Sequence, residues 1–303
     1  MVNKITVTTT WLQGCSGCHI SLLDLHEDFL KLLELIEIKY STIIDIKDVP
    51  EVDLAIVEGA VSNIENEHLL KEIRSKSKKL IALGSCACYG GIVGMRNLFT
   101  IKEVMQCAYR ETSSSIPEDI PKDPRIPEML PFVKPLHAVV PVDYFLPGCA
   151  PTPKSIKETL FAIIDGKEPV FKTRNLCEEC KRKKTLMLDP HRGLLVEKLL
   201  SPMEIDYIDP EICFLEQGIL CLGPATIEGC GALCPSANMP CRGCWGPAPH
   251  ALEQGAKMIN AMAALLPTRE LLEKEDIVGT GYRFTMAVSI YPHISGLKKE
   301  GNR

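Results

Sequence analysis

The chain has 303 residues, 46% of them hydrophobic and 24% charged, with 22 prolines and 21 glycines, a composition that describes one large or two ordinary domains and excludes disorder as the main state. Its 34 basic against 39 acidic side chains leave a net charge of −5, without the basic surface that a nucleic-acid partner would favour. No stretch reaches the ~18 uninterrupted apolar residues of a membrane span, and the start MVNKITVTTTWLQG lacks a signal-peptide profile and a twin-arginine pair. A cytoplasmic chain with no membrane span and no nucleic acid is therefore expected. In that reducing compartment, fourteen cysteines point to metal rather than to disulfides.

Along the chain, Lys4 to Thr10 is short and β-branched, and after the turn GCSGC the run Ile20 to Leu35 carries apolar residues at helical spacing. Ile36 to Ile46 is β-rich, Val52 to Val57 reads as a buried strand, Glu65 to Ser77 as a charged helix, and Lys79 to Leu83 as a further strand. Asp143 to Leu146, the turn PGCAPTP and the helical Lys154 to Ile164 complete the series. This alternation predicts an α/β fold, a flavodoxin-like doubly wound parallel sheet over residues 1–165. Seven prolines between Ile116 and Pro141 (117, 121, 124, 127, 131, 135 and 141) predict a long irregular excursion. From residue 166 to 303 periodicity fades and eight cysteines fall between Cys177 and Cys244, as in a largely irregular second domain wrapped around something inorganic. His250 to Leu266 reads as a helix packed on a core, and the tail GLKKEGNR as frayed.

The cysteines carry the chemistry. Cys15 and Cys18 follow the first strand, Cys86 follows KLIAL and Cys149 follows DYFL, so four thiols reach the carboxyl end of one parallel sheet, where open α/β folds hold ligands. Four thiolates suit a tetrahedral zinc or an iron-sulfur cubane. In the second half, Cys177 with Cys180 and Cys241 with Cys244 form CxxC pairs, with Cys213, Cys221, Cys230 and Cys234 between them. These eight divide into two four-thiolate sites. Zinc is redox-inert, and three structural zincs exceed what a core of this size needs, so three such sites favour electron transfer over a zinc-stabilised scaffold. Of the other two, Cys88 rivals Cys86 as a ligand, and Cys107 reads as a small buried hydrophobe.

The stretches WLQGCSGC at 11–18, VEG at 57–59, GSCACYGG at 84–91, PGCAP at 147–151, GPAT at 223–226 and CRGC at 241–244 resemble the small subunit of nickel-iron hydrogenases over nearly the whole chain. The resemblance implies that Cys15, Cys18, Cys86 and Cys149 hold a proximal 4Fe-4S cluster beside a large subunit, and its G-[TS]-C-A-x-x-G-G segment favours Cys86 over Cys88. It implies a distal cluster on Cys177, Cys180, Cys213 and Cys221, with Cys177 where many relatives place histidine. It implies a medial cluster on Cys230, Cys241 and Cys244, where Cys234 supplies a fourth thiolate in place of the 3Fe-4S arrangement of many relatives. Three 4Fe-4S clusters tuned to low potential follow. Relatives place an acidic residue where this chain has Ile20, so a proton-handling role there is not expected.

Among such proteins the chain is most similar to those of the cytoplasmic, methyl-viologen-reducing hydrogenases of methanogenic archaea, with the deazaflavin-reducing type as the alternative. That similarity implies two further partners, a small iron-sulfur electron-transfer subunit and heterodisulfide reductase. A quinone-linked complex subunit related to the first half alone would leave the eight later cysteines unexplained. No cysteine follows Cys244, whereas the family's nickel site needs paired CxxC motifs near both ends of the large subunit. The chain is thus expected to have no catalytic residue of its own and to leave dihydrogen splitting to that subunit. Pro117 to Pro141 and the proximal face are expected to meet the large subunit. Glu58 is either a contributor there or a solvated loop carboxylate, and the run Lys181 to Lys184 either docks an acidic partner or is a solvated face.

Overall fold

Period-two alternation of small and branched residues decides how the first half stacks. In β3 (Val52–Glu58), Leu54 and Ile56 point to one face of the sheet and Ala55 and Val57 to the other; in β5 (Ser77–Leu83), Ile81 and Leu83 oppose Leu80 and Ala82 in the same way. A strand buried on both faces requires helices on both. The computed structural model, which describes residues 4–44, 46, 48–114, 116, 119–184, 196, 198–200, 204–265 and 276–290, supplies them. One face is covered by α1 (Gly17–Leu23), α2 (Glu27–Leu35) and α6 (Pro153–Ile164) through Leu22, Leu32, Ile156 and Leu160. The other is covered by α3 (Ile64–Ser75) through Leu70 and Ile73.

With β1 (Ile5–Trp11), β2 (Ile36–Ser41) and β7 (Tyr144–Leu146), the all-parallel sheet has the order β2-β1-β3-β5-β7. This is the expected doubly wound, flavodoxin-like arrangement.

Local differences from the sequence reading have identifiable causes. The single run Ile20 to Leu35 is two helices, because the chain turns at Asp24 to His26, where His26 has φ +51°. Helix α1 also begins earlier, at Gly17, which places Cys18 in its first turn. The proline-rich excursion is not wholly irregular: β6 (Met129–Lys134) pairs antiparallel with β4 (Val61–Asn63). Pro131 is exposed in this two-stranded sheet, whose register shifts between its pairs, a setting in which a missing N–H is tolerated. The buried Asn97 side chain accepts from Val133 N at 2.7 Å and donates to Val133 O at 3.0 Å, taking the part of a neighbouring strand.

The chain divides into two units, Met1–Lys167 with Phe284–Arg303, and Glu168–Arg283. The described segment 284–290 belongs to the first unit, where Ala287 packs against Gly90. The tail GLKKEGNR lies outside the described residues. The second unit is built from turns and short helices, as expected, around Leu176, Phe214, Leu222, Met258 and Met262. Its α8 (Gln254–Ala263), shorter than the predicted 250–266, buries Gln254, Met258 and Met262 at a spacing of four and so packs on that core. Among the described residues, no helix is long and apolar enough to cross a membrane.

Candidate iron-sulfur sites

In the first unit, neighbouring parallel strands end side by side and their carboxyl ends deliver the predicted thiols. Cys15 and Cys18 follow β1, Glu58 ends β3, Cys86 lies in α4 (Gly84–Tyr89) directly after β5, and Cys149 follows β7. Hydrogen bonds tie these segments together. Ser85 N donates to Gly148 O at 2.9 Å and Gly148 N to Ser85 Oγ at 3.0 Å, while Ser21 Oγ donates to Pro151 O at 2.5 Å. Gly84, at φ +84°, lies so close under Cys18 that a Cβ there would be 2.2 Å from its Sγ.

The four thiols feel one another. Burial, followed by Glu58 and by Cys86, Cys149 and Cys15, pushes the Cys18 thiol far up from its ordinary value. Burial pushes Cys86 up to about 11, with Cys149 and Cys15 adding to the shift. Burial also raises Cys149, with Cys15 next. Four thiolates gathered without a neutralising cation repel one another, so the group is suited to a positively charged centre whose binding releases protons.

Glu58 is not a solvated loop carboxylate. It is 2% exposed and accepts the His19 backbone N–H at Oε2, 2.8 Å away, while His19 Nδ1 lies 2.9 Å from the same oxygen. Nε2 of His19 is hydrogen-bonded to Thr9 Oγ1, and the edge of Trp11 packs against the ring. Cys88 is fully buried on the α3 side of the sheet, where its Sγ donates to Ala82 O at 3.3 Å, and burial raises its pKa well above the ordinary thiol value. It is a satisfied core residue. Cys107, expected to be buried, is exposed. It follows α5 (Ile101–Gln106), which buries no side chain, so the apolar spacing there serves no core face.

In the second unit, Cys177, Cys180, Cys213 and Cys221 form one group: burial pushes Cys177 up to about 12, and Cys221, Cys213 and Cys180 add to the shift against the opposing Lys184. Cys221 is pushed up to about 11 by burial, against N–H donors from Gly223 and Cys241. Similar backbone donors reach Cys213 from Leu215 and Glu216. N–H groups aimed at sulfur are the usual way a protein stabilises ligating thiolates. Cys230 lies beside Cys234, and Cys241 beside Cys221 and Cys244. Cys234 is exposed, in the short helix α7 (Leu233–Ser236). Among the described residues, no three His, Cys, Asp or Glu side chains converge closely enough to hold a single metal ion.

Several supporting residues escape a reading of the sequence. Glu179, between the cysteines of CEEC, accepts Gly229 N at 3.0 Å and Gly231 N at 2.9 Å and so fixes the loop of Cys230. Gln254 donates to Gly243 O at 2.9 Å and Gly246 O at 3.0 Å, bracketing Cys244. A glutamine on the apolar stripe of α8 was its only signal. The basic run is largely anchored: Lys184 donates to Cys177 O at 2.7 Å, Lys183 pairs with Glu211, and Arg182 is buried. A solvated face describes the exposed Lys181 and Lys183 but not the buried Arg182.

Residues 15–163 match the family model described as NADH ubiquinone oxidoreductase, 20 Kd subunit. The chain is 39% identical to the G subunit of the F420-non-reducing hydrogenase of Methanothermobacter marburgensis, over 99% of this chain and 100% of that protein. It is 44% identical to the vhu G subunit of the F420-non-reducing hydrogenase of Methanocaldococcus jannaschii, over 91% of this chain and 92% of that one. A chain of the NAD+-reducing [NiFe]-hydrogenase, solved in the H2-reduced state, superposes with a TM-score of 0.54 at 37% identity, covering 56% of this chain and 96% of that one.

Proposed function

The chain belongs to the nickel-iron hydrogenase small subunits, in the family of the F420-non-reducing hydrogenases of methanogens, and from that premise we propose that it relays electrons through three 4Fe-4S clusters. The first unit would hold the proximal cluster on Cys15, Cys18, Cys86 and Cys149. The second would hold the distal one on Cys177, Cys180, Cys213 and Cys221, and the medial one on Cys230, Cys234, Cys241 and Cys244. When bound, such clusters take up and release electrons one at a time.

The observation that carries this reading is the convergence of four mutually repelling thiols from three separate strand ends. Glycine backbone lies against their sulfurs and leaves space for an inorganic core: Cβ atoms at Gly84, Gly91 and Gly17 would be 2.2, 2.5 and 3.3 Å from Cys18, Cys86 and Cys15 Sγ. Four thiolates would also suit a tetrahedral zinc, which lacks the acid-labile sulfide of a cubane. The Gly223 backbone plays the same part between Cys177 and Cys221 in the second unit.

On this reading the exposed Cys15 and Cys149, with Ile20 and Leu23, face the large subunit in the cytoplasm, where dihydrogen is split. Electrons leave through a small iron-sulfur subunit towards heterodisulfide reductase, an acceptor supported by similarity to the methanogen proteins. Anaerobic purification with co-purifying subunits tests it. About twelve iron and twelve acid-labile sulfide per chain, with a large subunit attached, are expected. Stoichiometric zinc without sulfide would overturn it.

A further inference from the structure

Arg182 is 6% exposed, yet among the described residues its four hydrogen bonds end on neutral oxygens. Nη1 donates to Asp209 O at 2.7 Å and to Ile212 O at 2.8 Å, Nε donates to Pro235 O at 3.3 Å, and Nη2 donates to Asn238 Oδ1. The guanidinium also lies over the Phe214 ring, 3.7 Å from its centroid. Burying a permanently charged group without an anion is costly. Of the neighbouring cations, Lys183 pairs with Glu211, while Lys184 donates to the Cys177 carbonyl and acts on the Cys177 thiol alone among those of its group.

Segments that carry cysteines meet at Arg182. It follows Cys180 by two residues, Ile212 precedes Cys213, and Pro235 follows Cys234. Cys180, Arg182 and Pro235 line one cleft together with Lys181, Lys183 and Glu211, whose carboxylate is taken up by Lys183. The fork thus joins segments that bear ligands of both four-thiolate groups of this unit.

We propose that Arg182 is a positioning residue and internal counter-ion, set between the two second-unit clusters, whose fixed positive charge raises both of their reduction potentials. The inference rests on the functional reading above. Four thiolates around a cubane give a net negative site, and reduction adds one more negative charge. A nearby buried cation therefore stabilises the reduced form, and its removal makes each centre harder to reduce. The four bonds to carbonyl and amide oxygens hold that charge in place, which a lysine would do less rigidly.

The test is a redox titration of the intact hydrogenase complex followed by electron paramagnetic resonance, with wild type, Arg182→Met and Arg182→Lys compared at equal iron content. In Arg182→Met both second-unit midpoint potentials should move to more negative values while the proximal potential stays fixed, and Arg182→Lys should recover most of the shift. Unmoved potentials in an iron-replete Arg182→Met overturn the proposal, as does an equal shift in the lysine variant, which would assign the effect to geometry rather than charge. If Arg182→Met loses iron, Asn238→Asp takes its place. It keeps the hydrogen bond at a left-handed position that aspartate tolerates (φ +58°) and cancels the charge, so its second-unit potentials should fall; unmoved potentials overturn the proposal. Metal analysis of the wild type comes first, because zinc in the second unit would sink the functional reading itself.

Discussion

Gly84 and Cys18 are in contact through a space that only a hydrogen can fill: a Cβ on Gly84 would lie 2.2 Å from the cysteine sulfur, and φ at Gly84 is +84°. Gly84→Ala therefore combines backbone strain of about 1 kcal/mol with displacement of one ligand. The expected outcome is a folded chain that lacks about four of about twelve irons and keeps the second-unit resonances. Iron and sulfide analysis beside electron paramagnetic resonance checks it.

Glu58 acts on the same loop from the neighbouring strand. Glu58→Ala removes the acceptor of a buried N–H and should destabilise the first unit by about 2 kcal/mol, whereas Glu58→Gln keeps an oxygen and should cost less. Urea denaturation of the two variants measures the difference. Equal losses would mean that the hydrogen bond to His19 contributes nothing.

Three cysteines outside the first four-thiol group are assigned different roles and can be tested one by one. Cys234→Ser or Cys234→Pro should convert the medial centre towards a 3Fe-4S form with a new signal in the oxidised state and a raised potential. An unchanged set of three 4Fe-4S signals in the proline variant would place the fourth ligand elsewhere. Cys88→Ala should keep the full iron content and cost about 1 kcal/mol of core packing. Exposed Cys107 should be alkylated rapidly in the holoprotein, which mass spectrometry of the labelled peptide would show.

Far from the thiols, Asp53 joins three strands. A hydrogen bond from Lys78 on β5, then bonds from the N–H and hydroxyl of Thr6 on β1, pull its carboxyl down to about 2. A depressed carboxylate pKa stabilises the fold at any pH above the ordinary value, and that contribution fades as pH falls from about 4 through about 2. Because the group is partly solvent-exposed, its worth is about 1 kcal/mol. Asp53→Ala should therefore lower the urea midpoint at pH 7, and the gap to wild type should narrow as pH falls from about 4 towards about 2.

What the sequence revealed and what it hid divide along physical lines. Strands β1, β3 and β5 were legible from the β-branched run of ITVTTT and the unbroken apolar runs LAIV and LIAL, and the strand-end thiols were legible because open α/β sheets place ligands at strand ends. Strand β6 was hidden because Pro131 argues against a strand until Asn97 is seen to serve its backbone. Glu58 was ambiguous, since a carboxylate's burial depends on a partner thirty-nine positions away at His19. Arg182 was masked by three flanking lysines of like charge, because composition cannot say which of four cations turns inward.

The placement of the first four thiols also bears on the order of events during synthesis. Cys15 and Cys149 are 134 positions apart (149 − 15 = 134), and Cys149 follows β7, a three-residue strand at the edge of the sheet that pairs, among the described residues, with β5 alone. A nascent chain ending before β7 can fold β1, β2, β3 and β5 yet presents only three of the four thiols. Long-range pairing of this kind forms late because its loop must close first. If the four thiols hold a cluster as proposed, its presence would record that the edge strand has docked, and a maturation factor inspecting that site would be inspecting the completeness of the sheet.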